Sequence, residues 1–148
     1  MITNERQYRI SKSQLAKFES AVLGFDLKEA AERIGSRVLA KAELDALKSE
    51  CEVLSSQIQD YEALKSGAVT VLEAESLDEL PSILIRARIA KGLSQRELAI
   101  RLGLQEQQIQ RYESEEYASA SQRRIVEVAR TLGLNFKKAA EFSFSSSR

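Results

Sequence analysis

Lys91-Gly-Leu-Ser-Gln-Arg-Glu-Leu-Ala-Ile-Arg-Leu-Gly-Leu-Gln-Glu-Gln-Gln-Ile-Gln-Arg-Tyr-Glu113 decides the fold of this chain. Ser94 with Glu97 three residues on forms a capping box, which satisfies otherwise unpaired N–H groups at a helix start. Leu98, Ala99 and Leu102 follow at helical spacing on one face. Gly103 stands where a left-handed residue can end that helix without steric cost. A second helix, from about Gln105, buries Ile109 and Tyr112 and turns Glu106, Gln107, Gln108, Gln110 and Arg111 outward. Amides and a guanidinium on an exposed helix are the groups that bond base edges in the major groove, Gln to adenine and Arg to guanine. The stretch therefore predicts a helix-turn-helix whose second helix reads DNA.

Those residues resemble the Xre-like, phage-repressor-type helix-turn-helix regulators. The shared pattern falls on Arg88, Gly92, Leu93, Ser94, Gln95, Leu98, Ala99, Gly103, Ile109 and Glu113, within residues 77–135. Apolar, glycine and polar positions agree together, which a bare helix–turn–helix spacing would not require. The resemblance implies a four- to five-helix DNA-binding domain over 77–142, with a frayed tail at 143–148. Its helices are expected at Pro81–Ala90, at Ser121–Leu132 with Ile125, Val126 and Ala129 inward, and at Phe136–Phe142, beside the two already named. It implies a salt bridge between Arg88 and Glu113, and makes Gln95 the residue that bonds a phosphate and steadies the reading helix. It places Gln105, Glu106, Gln107 and Arg111 at base edges, with Gln108 and Gln110 to the side. The chain departs from the pattern after Glu113: Ser-Glu-Glu-Tyr-Ala-Ser-Ala-Ser121 lacks the usual Gly and Pro. Glu115 and Glu116 would repel a phosphate there, so backbone contact falls to Ser119, Ser121, Arg123 and Arg124.

Residues 1–74 read as a helical dimerisation or partner-binding segment. Gln7–Ser11 alternates polar and apolar and predicts a short strand, a possible ribbon partner for the β-branched Ala68–Leu72. Leu15, Phe18, Val22 and Phe25 recur at helical steps, giving an amphipathic helix from Ser13 to about Gly24. A longer helical pattern spans Lys28–Lys65 with a soft spot at Gly35-Ser36. Within it Leu44, Leu47, Cys51, Leu54, Ile58 and Tyr61 form a heptad seam of about three heptads, the lower limit for a coiled coil. One reading is an intramolecular hairpin covered by Leu15 to Phe25. The favoured one is a homodimer or partner groove, because a thin hairpin buries its stripe poorly alone. The fold class expected is thus mainly α: a helical hairpin or coiled-coil segment, with or without a two-stranded ribbon, then a repressor-type bundle.

Composition removes several function classes. Lys and Arg balance Asp and Glu at 22 each, so binding by bulk positive charge is excluded. Locally, residues 1–76 carry 10 basic and 13 acidic side chains, and 77–148 carry 12 and 9. That split suits a protein-facing and a DNA-facing module. Histidine is absent, which removes the usual general base and zinc ligand and leaves no Ser-His or Cys-His nucleophile. With no phosphate loop and no clustered cysteines, no enzyme, cofactor or metal is expected. Lone Cys51 and the lack of a signal peptide or long apolar run predict a cytoplasmic protein with no membrane association.

The leading expectation is a dimeric, sequence-specific transcriptional regulator whose partner is double-stranded operator DNA. A small domain of this kind behind an acidic helical segment also resembles antitoxins, which repress their own operon and hold a toxin protein. The competing expectation is an interaction adaptor whose helix-turn-helix does not read DNA, the acidic loop being its support.

Overall fold

The computed structural model describes residues 1–135; the expected Phe136–Phe142 helix and the 143–148 tail lie outside them. All regular structure among the described residues is helical. The helices are α1 (Glu5–Leu23), α2 (Leu27–Ile34), α3 (Arg37–Lys65), α4 (Leu80–Ala90), α5 (Gln95–Leu102), α6 (Glu106–Ser114) and α7 (Gln122–Thr131). One 3-10 turn, Leu77–Glu79, leads into α4, whose first positions carry Pro81.

The expected strand at Gln7–Ser11 is instead the first half of α1. The Asn4 side chain accepts from Gln7 N–H at 2.9 Å, and the Gln7 amide oxygen accepts from Thr3 N–H at 2.8 Å, so the helix is capped at Asn4 and begins at Glu5, well before Ser13. Tyr8 and Ser11 also extend the 3,4 spacing of Leu15, Phe18 and Val22, and all five are half-buried. Four residues of alternation were a weaker signal than this longer period. Residues 68–75 form no strand either, and Val69 and Leu72 pack on the core from an irregular connection.

Gly35-Ser36 ends one helix and starts another. Gly35 adopts φ +78°, in the left-handed region that ordinary side chains avoid, and Ser36 caps α3 through Leu39 N–H. The long pattern is thus α2 and α3, two helices folded on each other.

α1 runs antiparallel to α3. Tyr8 stacks on Tyr61 with centroids 5.1 Å apart, Tyr8 donates to Glu62, and Lys65 pairs with Glu5. α1 and α2 both pack on α3. Along the heptad seam Ile58 and Tyr61 are buried, while Leu44, Leu47, Cys51 and Leu54 are half-buried. α1 and α2 thus cover part of this face, and four of its six residues keep some exposed surface.

The deepest packing joins both halves. Ile2, Ile58, Tyr61 and Leu64 belong to the same buried cluster as Leu84, Ile85, Leu98, Ile109, Val128 and Leu132. In α7, Val128 is fully buried, Ile125 and Ala129 are half-buried, and Val126 is 42% exposed. The inward assignment of Val126 is therefore corrected. Val128 falls between Ile125 and Leu132 at 3- and 4-residue steps, so the buried stripe runs on that side of the helix.

Candidate nucleic-acid interface

α5 and α6 owe their mutual angle to two local devices. At the start of α5 the capping box closes in both directions: Ser94 Oγ accepts from Glu97 N–H at 3.1 Å, and Glu97 Oε2 accepts from Ser94 N–H at 2.7 Å. The Ser94 N–H, and after it the Ser94 hydroxyl donating to the same oxygen at 2.7 Å, hold the Glu97 carboxyl below the usual carboxylate range. At its end Gly103 takes φ +66° and sends Leu104 back onto the core. α6 then packs against α5 through Ile109, which has no exposed surface.

Beneath α6 lies a buried polar cluster. Arg88 donates from Nε to Glu113 Oε1 at 2.5 Å and from Nη2 to Glu113 Oε2 at 2.7 Å, a bidentate pair with side chains 3% and 1% exposed. Nη1 reaches the Leu93 carbonyl at 2.7 Å, and Nη2 also reaches the Thr3 carbonyl at 2.6 Å. Gln95 completes the set, donating from Nε2 to Glu113 Oε2 at 2.7 Å.

The side chain is placed for the steadying part of the role expected for Gln95. The residue is 8% exposed, and one hydrogen of its amide nitrogen goes to Glu113. A carboxylate in a low-dielectric interior is a stronger acceptor than water, and its second oxygen has a lone pair to spare beside Arg88. Gln95 here braces α5 against α6 from within.

Glu106, Gln107, Gln108, Gln110 and Arg111 are all exposed on α6. Four of them bond to neighbours one turn away. Gln110 donates to Glu106 at 3.0 Å, Gln108 to the Tyr112 hydroxyl at 3.0 Å, and Arg111 Nε to Glu115 Oε1 at 3.1 Å. Gln107 stands exposed between them, and Gln105, at the N-cap, makes no capping bond with its side chain.

The loop after α6 solves its missing glycine in an unexpected way. Glu116 and Tyr117 adopt φ +49° and +59°, the left-handed region where side chains are strained. Tyr117 offsets that strain by burial: it is 2% exposed and stacked on Tyr112 at 5.8 Å, and its N–H bonds the Tyr112 carbonyl at 2.6 Å. Its hydroxyl has no partner among the described residues, and burial, followed by the nearby Glu113, pushes that hydroxyl well above the usual tyrosine range. Sequence reasoning passed over Tyr117. The available signal was one aromatic residue between a charged run and Ala-Ser-Ala.

Of the four backbone-contact candidates, Ser121 caps α7 by accepting from Arg124 N–H at 3.2 Å. Ser119, followed by Arg111, lowers the Glu115 carboxyl below its usual range. Arg124 pairs with Glu127 at 2.7 Å, and Arg123 is exposed. Ser121 and Arg124 are thus partly engaged in ordering α7.

Residues 84–138 match a helix-turn-helix family model. The match begins in α4 and takes in the helix-turn-helix of α5, Gly103 and α6, a little over a third of the chain. Comparison with curated proteins and with solved structures gave no match. The helix-turn-helix therefore rests on two independent observations, the family model and the observed geometry of α5 and α6. Among the described residues no helix is long and apolar enough to cross a membrane.

Proposed function

We propose that this protein is a sequence-specific DNA-binding transcriptional regulator that reads base edges with α6. The observation that carries this is the outer face of α6, an exposed row of amides and a guanidinium. That row is set on a helix whose inner face is fixed by Ile109 and by the Arg88–Glu113–Gln95 cluster. A reading helix needs a rigid mount, because a loosely placed side chain cannot select one base edge over another. The match of residues 84–138 supports the same reading. No catalytic step is assigned to any residue.

Two finer proposals follow. A domain of this size covers one half-site, so a regulator of this kind works as a two-fold dimer on a pseudo-palindrome. The half-buried Leu44, Leu47, Cys51 and Leu54 on α3 leave a surface for that association. The acidic N-terminal segment supports a second partner, and a toxin whose operon this protein represses is the proposal for it.

A gel shift with the DNA upstream of the protein's own coding sequence, titrated with salt, tests the main proposal. The expected result is affinity that falls steeply with salt while a preference over random duplex remains. An interaction adaptor is the second reading, favoured by the acidic loop after α6, whose exposed Glu115 and Glu116 would repel phosphate and whose Glu115 pairs with Arg111. Absence of binding to any duplex at low salt would select it.

A further inference from the structure

Residues 1–7 stand beside the reading helix. All of them but Ile2, together with Ser94, Gln107, Gln110 and Arg111, line one open groove of about 1090 Å³. Ile2 is 3% exposed within the shared core, the Thr3 carbonyl takes a hydrogen from Arg88, and Glu5 pairs with Lys65. A helix lying in the major groove needs open space on both flanks for the two phosphate backbones. On the side of α6 that faces the start of α5, the first turn of α1 bounds that space.

The charges in this groove do not compensate for the obstruction. Arg6, Lys65, Arg88, Arg111 and the Met1 ammonium line it, but so do Glu5, Glu97, Glu106, Glu113 and Glu116. In the closed arrangement the carboxylates balance the cations, so the groove has no net charge to draw a phosphate backbone in.

We infer that residues 1–7 are an autoinhibitory latch over the DNA-reading face, held by Ile2, the Thr3–Arg88 bond and the Glu5–Lys65 pair. The inference rests on the DNA-reading proposal. The latch can leave without unfolding the mount. Arg88 keeps both bonds to Glu113 and its bond to Leu93, and the Tyr8–Tyr61 stack still anchors α1. Its departure frees the Lys65 ammonium and one Nη2 hydrogen of Arg88, two donors suited to phosphate. DNA and the latch thus compete for the same face, and the closed population lowers apparent affinity by the fraction of molecules that are open.

Ile2→Asp in the full chain tests this. A carboxylate cannot stay in the Ile2 pocket, so the latch opens. The added negative charge would by itself weaken DNA binding, so tightening can only come from opening. We expect about tenfold tighter binding to the upstream DNA than wild type, as for a latch closed in roughly nine molecules of ten. Ile2→Ala should fall between the two, and it carries the test should Ile2→Asp fail to fold. Hydrogen exchange at the amides of residues 3–7 should quicken in both variants, and in wild type on saturation with DNA. Binding that both variants leave unchanged or weaken overturns the latch alone, as does unchanged exchange at residues 3–7 on DNA saturation. Absence of binding by wild type and both variants overturns the DNA reading and the latch together.

Discussion

Replacing Arg88 with methionine removes four hydrogen bonds at once while keeping a similar chain length. Two of the four end on Glu113, whose side chain is 1% exposed, so a carboxylate remains in the interior with only the Gln95 amide facing it. Removing one partner of a buried ion pair costs about 3–5 kcal/mol, because the desolvation already suffered by the other charge is no longer offset. For a chain of this size that lowers Tm by roughly 10 °C or more. The pair itself is not a large net stabiliser, since replacing both members with apolar groups can be neutral or better. Arg88→Met with Glu113→Leu should therefore recover part of the loss, and only part. The Gln95 amide, the Leu93 carbonyl and the Thr3 carbonyl are then left without their partners, at about 1 kcal/mol each. Adding Gln95→Met should recover about one of those increments. Arg88→Lys should fall between wild type and Arg88→Met, because an ammonium cannot serve three directions with the fork of a guanidinium. Thermal unfolding followed by circular dichroism measures the whole series. Arg88→Met melting within about 2 °C of wild type would refute the reasoning and show that water or relaxation reaches the cluster freely.

Other consequences follow from the same geometry. Tyr117→Phe removes a buried hydroxyl with no partner among the described residues and should raise stability by about 1 kcal/mol, seen as a Tm increase of a few degrees; a lower Tm would reveal a bond to that hydroxyl. Arg111→Ala should cost about 1–3 kcal/mol at one base pair and relax specificity there, and Gln107→Ala should do likewise at a neighbouring pair. Binding of the double variant to cognate and random duplexes, measured side by side, checks this. Glu115→Gln should release Arg111 and strengthen DNA binding severalfold, whereas an adaptor surface would gain no DNA affinity from it. Gly103→Ala places a side chain at φ +66° and should destabilise by about 1 kcal/mol through strain alone, since the space around it is open; chemical denaturation reads that difference.

What was legible in the sequence was local. Ser94 and Glu97 interact across three residues, and Gly103 answers a conformational demand of its own position, so both could be read without knowing the neighbours. The same holds for the exposed row on α6, which follows from helical period. The misreadings all involve competition between signals or partners distant along the chain. The alternation at Gln7–Ser11 lost to a cap at Asn4 and to a longer period that only pairing with α3 makes visible. The acceptor through which Gln95 steadies the reading helix, Glu113, is 18 residues away and could not be read from its own neighbours. Tyr117 looked like part of a charged loop, and its burial depends on Tyr112 and on two strained residues.

The cluster under α6 also links the parts that would have to act together. Arg88 belongs to α4, Gln95 to α5 and Glu113 to α6, while Thr3 brings in the segment before α1. Any motion that draws Thr3 away changes the hydrogen bonding of the guanidinium that mounts the reading helix. The reverse also holds, because binding energies at coupled sites are reciprocal. A partner that captured residues 1–7 would favour DNA binding, and one that pressed them onto the core would oppose it. The weak elements of the latch, one side chain, one carbonyl and an ion pair about half exposed, make such a shift accessible without loss of the fold. The mount below it, fully desolvated and bidentate, is the part that stays fixed.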